Sequence, residues 1–136
     1  MGLFSGKRPS DLGVRDGRLK AAPRTPNAVS SQAPASDPGH AIAPLTYLTT
    51  PERAMLALLQ IIRETPRTHI VTQTADYIYA EYTSKLMGYV DDVELYIVPR
   101  ARQIDVRSAS RLGRTDFGVN RARIEDIRRR LAASGA

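Results

Sequence analysis

Met55, Leu58, Leu59 and Ile62 recur at positions i, i+3, i+4 and i+7, and Ala54, Leu56 and Ile61 widen the apolar stripe. This period predicts one largely buried helix over residues 49–64. Thr49-Thr50-Pro51-Glu52 marks its start, with a threonine N-cap, proline in the first turn, and Glu52 at capping-box distance from Thr49. Thr65-Pro66 ends it, because the residue before a proline is pushed out of the helical region. The period then changes to two. Four runs rich in β-branched and aromatic residues, at about 68–73, 77–84, 93–98 and 103–110, predict four strands. The links at 74–76 and 99–102 are hairpin lengths, so the pairing is expected to be antiparallel. A loop over 111–119 follows. A second helix is predicted over 120–133, with Asn120 as N-cap, Val119 and Ile124 as a hydrophobic staple, and Ile124, Ile127 and Leu131 as its apolar edge.

The alternation assigns the faces. Ile78, Ala80, Tyr82, Val93, Leu95, Ile97, Ile104, Val106 and Ser108 point one way; Tyr77, Tyr79, Glu81, Glu94, Tyr96, Asp105 and Arg107 point the other. Two helices cover one face of such a sheet. The expected fold is therefore α+β: a four-stranded antiparallel meander, two helices packed on its apolar face, and a polar, tyrosine-lined face behind. Residues 1–46 carry six prolines and five glycines, which leaves no periodic segment. Residues 1–23 are expected to be a flexible basic tail. Residues 24–48 are expected to be an extended arm that lies against the domain through Val29, Ile42, Leu45 and Leu48, and that can reach over the polar face.

Length and composition narrow the reading. The chain has 136 residues, 42% hydrophobic and 25% charged, which suits one globular domain. No cysteine is present, which excludes disulfides, thiolate catalysis and sulfur-ligated metals. No apolar run is long enough to span a bilayer, Met1–Arg8 lacks a signal-peptide core, and Gly6 stands where a myristoylation pattern wants Ser or Thr. A soluble, cytoplasmic protein is expected. The net charge of +6 is uneven: six basic and two acidic residues lie in 1–25, four and eight in 26–99, and ten and four in 100–136. All ten basic residues of the last segment are arginines, suited to planar pairing with carboxylate or phosphate.

The candidate chemistry gathers in one place. Arg107, Ser108, Ser110 and Arg111, followed by Gly113, Arg114, Asp116, Gly118, Asn120 and Arg121, put arginines, hydroxyls and glycines into a strand-to-helix loop that can receive an anion. No phosphate-loop pattern is present, and the same residues can equally tie the loop to the sheet. Tyr79 and Tyr96 on the adjoining face offer flat contact area, or simply cross-strand pairing. His40 with Ser30 or Asp91 would be the pair for a small hydrolase or transferase, but no third orienting group or nucleophile elbow is evident. His40 and His69, the only histidines, have no metal-site spacing, and no cofactor is implied. Asp116-Phe117-Gly118 matches the kinase tripeptide by letters only. Arg128-Arg129-Arg130 reads as a solvated helix end, so nucleic acid is not an expected partner.

Pro26–Ser31, His40 ahead of Pro44, Gly88–Glu94, Ile104–Gly113 and Asp116–Arg121 together resemble the bacterial and plastid domain-of-unknown-function family 1499, over roughly residues 24 to 131. The resemblance implies that Ser30, His40, Asp91, Asp92, Arg107, Ser108, Ser110, Arg111, Asp116 and Asn120 belong to the family pattern; it implies no activity. Ala28 stands where many members carry a cysteine, so a redox role of such members has no thiol here to act through. The expected function is a non-enzymatic binding module for an anionic small molecule or an acidic protein. A hydrolase using His40, or a peripheral subunit of a larger assembly, are the alternatives.

Overall fold

The computed structural model describes residues 4–113 and 115–136, so the readings made on Met1, Gly2 and Arg114 lie outside the described residues. In chain order the elements are β1 (Ala28–Ser30), β2 (Leu45–Thr46), α1 (Pro51–Glu64), β3 (Thr68–Gln73), β4 (Tyr77–Thr83), β5 (Val90–Val98), β6 (Gln103–Ser110) and α2 (Val119–Ser134). The fold is α+β. Its antiparallel sheet has six strands, in the order β1-β6-β5-β4-β3 with β2 also on β6. The meander therefore accounts for four of them. The other two come from the proline-rich arm, where Ala28–Ser30 pair with Ala109, Ser108 and Arg107, and Leu45 and Thr46 with Ile104 and Gln103. Strands of three and two residues leave no periodic signal, and an edge tolerates nearby prolines because only one side of the strand needs its N–H groups.

The expected threonine N-cap and first-turn proline of α1 are present, but its capping box is not, and α2 starts differently from expectation. Thr50, held extended in front of Pro51, caps α1 by accepting a hydrogen bond from the Arg53 N–H at 3.1 Å. The Thr49–Glu52 capping box is not formed; the Thr49 hydroxyl donates to the Ala136 carbonyl instead. In α2 the N-cap is Gly118, with φ at 81°, and Asn120 is already inside the helix and fully buried. Asp116 does the capping, accepting from the N–H groups of Gly118 (2.9 Å) and Asn120 (3.1 Å). Val119, half exposed, is the first residue inside the helix, not the residue before its N-cap that a hydrophobic staple uses.

The apolar face is as the alternation requires. Ile78, Val93, Leu95, Ile97, Ile104 and Val106 pack against Leu58 and Ile62 of α1 and Ile124, Ile127 and Leu131 of α2. The other face is not open. Residues 4–22 cross it as a strap, with Leu19 buried against Tyr77 and Tyr79, and Leu12, Val14, Val71 and Tyr96 around them. The segment expected to be a flexible tail lies here from Phe4 onward, and it is this strap, not the arm from Pro26, that covers the tyrosines. Its apolar residues are too sparse to form a helix or strand, but Leu12, Val14 and Leu19 still lose water-exposed surface when they meet the tyrosine rings. Asp16 (φ 53°) and Gly17 (φ 74°) make the tight reversal that lets Arg15 and Arg18 exchange backbone hydrogen bonds.

Candidate functional site

Among the described residues, the arginines singled out at 107, 111 and 121 are held by this chain's own acceptors. Arg107 lies opposite Glu94 on β5 and is 4% exposed; its Nη1 is 3.9 Å from Glu94 Oε1, and its Nη2 donates to the Ala21 carbonyl of the strap. Burial pulls the guanidinium below its ordinary pKa, and the charge of Glu94 opposes that shift. Glu94, wholly buried, accepts from the Tyr77 hydroxyl at 2.6 Å and from the Gly13 N–H at 2.9 Å. Burial, and then the hydrogen bond to Glu94, keep Tyr77 protonated far above the ordinary phenol range.

Arg111 stands just past β6, on the same side as Arg107 and Ala109 by alternation. It donates to Asp92 through Nε (3.0 Å) and Nη2 (2.8 Å), and Nη2 also reaches Glu81 and the Tyr79 hydroxyl. Burial alone would lower its pKa; hydrogen bonds to Asp92 and Glu81 raise it instead. Arg8 of the strap closes the network from the other side by a fork onto Glu81 at 2.8 and 3.0 Å. The Arg8 hydrogen bond, joined by Arg111 and opposed by burial, holds the Glu81 carboxyl down at about 2.

A second network sits at the same end of the sheet, under α2. Asn120 accepts from the Ser108 hydroxyl at 2.6 Å and donates toward Ser110 Oγ, the Asn27 carbonyl and Asp116 Oδ2. Arg123 adds donors to Ser108 and Asn120, pairs with Asp91 at 2.8 Å, and lies over the Tyr82 ring. Arg121 points the other way and donates to the carbonyls of Ala41, Pro38 and Gly39. The structure therefore joins Ser108, Ser110, Asp116 and Asn120 in one cluster and Arg111 with Tyr79 in another. It leaves Arg121 apart, and Tyr96 half-buried under the strap.

His40 and Ser30 meet through the backbone, where the Ser30 N–H donates to the His40 carbonyl. Both ring nitrogens of His40 are engaged elsewhere, Nδ1 with Asp37 at 2.7 Å and Nε2 with the Thr25 carbonyl at 2.8 Å. Both partners are acceptors, so the protonated imidazolium satisfies them best. Asp91 is committed to Arg123. The described residues contain no group of three or more His, Cys, Asp or Glu placed to hold a metal.

Sequence reasoning missed Arg123 and the strap's Arg8 and Gly13, and named Asp92 only as part of the family pattern. Asp92 shared the alternation of Glu94 and could have been read from it; Arg8 and Gly13 had no local signal.

Two clefts open where β4–β5 and β6–α2 are joined. The first, about 1040 Å³, is broad and is lined by Lys7 and Arg8 of the strap, Arg67, Lys85 and Arg111, with Glu81 as its carboxylate. The second, about 300 Å³, has Tyr89, Leu112, Phe117 and Val119 in its walls and Asp91, Ser110 and Asp116 among its polar groups. They share Ser84 and Val90 and so are neighbours.

The family model described as protein of unknown function (DUF1499) matches residues 18–131. The chain belongs to this family. The DUF1499 match takes in the whole sheet and nearly all of α2, and it begins at Arg18, after the part of the strap that carries Arg8 and Gly13. No curated protein and no solved structure matches the chain.

Proposed function

We propose that this chain is a non-catalytic binding module for an anionic ligand, and that the ligand enters the broad basic cleft between strap residues 5–8 and the β4–β5 loop. One observation carries the reading. Lys7, Arg67 and Lys85 line that cleft and form no ion pair with the described residues, whereas Arg107 and Arg111 are neutralised by Glu94, Glu81 and Asp92. A cation already paired in low dielectric has little left to offer a ligand; an unpaired cation in a concave wall has most of its field available. Arg111 keeps a supporting role, because it holds Glu81 and so sets the charge of the cleft's floor. The engagement of both His40 ring nitrogens, by Asp37 and the Thr25 carbonyl, supports a binding reading over a hydrolytic one.

The test is a titration of isotope-labelled protein with inorganic pyrophosphate, followed by amide chemical shifts. Shifts confined to residues 5–8, 67, 83–88 and 111, weakened by Lys85→Glu, are expected. Shifts centred on 113–121, or none, would refute it.

A further inference from the structure

Of the eight exposed large hydrophobic residues among those described, six sit at one end of the molecule: Leu86, Met87, Tyr89, Leu112, Phe117 and Val119. They occupy the two loops that leave β4 and β6 and, at Val119, the first residue of α2. Those loops emerge side by side, because Thr83 pairs with Val90, and Asp91 pairs with both Tyr82 and Ser110. Leu86 is 91% and Phe117 93% exposed, so neither contributes to the core. Scattered apolar side chains on a surface need no explanation, but six on two adjacent loop tips do. Leu86 and Met87 also line the cleft that carries Lys7, Arg8, Arg67 and Lys85. Phe4 of the strap stacks on Tyr89, with ring centroids 5.0 Å apart, and so joins the strap to the same end.

We infer that this end of the molecule docks on the surface of an anionic lipid bilayer, with Leu86 and Phe117 entering the interface and the surrounding cations meeting lipid phosphates. The inference rests on the anionic-ligand reading above and names the source of the anion. Charge complementarity and shape both favour this occupant. The protruding Leu86 and Met87 share their cleft with Lys7, Arg67 and Lys85, while Phe117 protrudes beside Asp116, whose carboxylate is engaged by the Gly118 and Asn120 N–H groups; apolar tips flanked on one side by cations suit a layer whose outer part is anionic and whose next few ångströms are apolar. A second copy of the chain would set these same cations against one another across the two-fold contact. Tyrosine at the rim, with an apolar ring and a polar tip, also fits the headgroup level.

The experiment is sedimentation of the full chain with vesicles of phosphatidylcholine alone, or of phosphatidylcholine with phosphatidylglycerol. Binding to the mixed vesicles only, weakened by added salt, is expected. The double variant L86S/F117S, which alters two solvent-facing side chains and should keep the wild-type circular dichroism and melting curve, should bind about tenfold or more weakly. Unchanged binding by that variant, or no binding to either vesicle, would overturn the inference. A parallel pyrophosphate titration separates the two proposals: cleft shifts without vesicle binding leave the anionic-ligand reading standing and remove the bilayer. Failure of both arms removes both. Polyglutamate that shifts the same amides, with no vesicle binding, would assign the site to an acidic protein and overturn the bilayer.

Discussion

Glu94 Oε1 and Arg107 Nη1 lie 3.9 Å apart across β5 and β6, one residue wholly buried and the other 4% exposed, in the middle of a face that alternation alone marks as solvated. The separation is longer than a hydrogen bond, and neither Glu94 Oε1 nor Arg107 Nε has a hydrogen-bond partner among the described residues. Strap groups complete the site: the Gly13 N–H satisfies the other Glu94 oxygen, and the Ala21 carbonyl receives Arg107. The charges are thus buried by a segment that also supplies part of their hydrogen bonding.

Removing one member of this pair leaves an uncompensated buried charge. Arg107→Met should lower the unfolding free energy by about 3–5 kcal/mol. The double variant Glu94→Leu/Arg107→Met should be less destabilised than that single one. Urea denaturation of the three proteins checks both statements, and a double variant worse than the single would refute the account.

If the strap is docked as described, its amides are protected. Gly13 donates to Glu94 and Leu19 donates to the Gln32 side chain at 2.7 Å, so both should exchange with deuterium far more slowly than an open chain. Leu19→Ala should cost about 2 kcal/mol, the lower end for a buried leucine, because its cluster is small. Exchange at open-chain rates would return residues 4–22 to the flexible tail that composition suggests.

Asn120 serves Ser108, Ser110, Asp116, Arg123 and the Asn27 carbonyl from one buried amide. Asn120→Ala leaves buried polar groups without partners and should cost about 1–3 kcal/mol. Asn120→Asp should cost more at neutral pH, since its second oxygen would replace the NH2 group that now donates to Asp116 at 2.7 Å. Thermal melts rank the two.

Two groups give opposite pH signatures. The Thr25 carbonyl, then Asp37, raise the His40 pKa above its ordinary 6.5, so its contribution is complete below about 6.5 and is lost as the pH climbs through the raised value. Glu81 is depressed from 4.5 to about 2, so its contribution is complete above about 4.5 and is lost as the pH falls toward 2. Denaturant midpoints should therefore decline above neutrality in the wild type and less in His40→Gln. The acid-side decline should be shallower in Glu81→Gln.

Each strand of the meander and the apolar stripe of α1 were legible because burial on one side imposes a period of 2 or 3.6 on nearby residues, and that period is a local property. The candidate site was legible only as a composition. Arg107, Arg111 and Asn120 stood out by type, but whether an arginine meets a ligand or a carboxylate depends on residues such as Glu94 and Asp92, which chain alternation places on a face without saying what lies above it.

By itself, then, the order of residues determined the strand periods, the proline-bounded first helix, the side of the sheet that the helices cover, and the family. Tertiary structure decided that β1 and β2 extend the sheet and that the tyrosine face is roofed by the strap. Asp16 and Gly17, both at positive φ, turn the strap back on itself. The contact that ties Gly13 to Glu94 spans 81 positions. A segment without periodicity finds its place through partners distant in the chain, because it gains enough buried surface and hydrogen bonding to offset its ordering only where those partners have already been assembled.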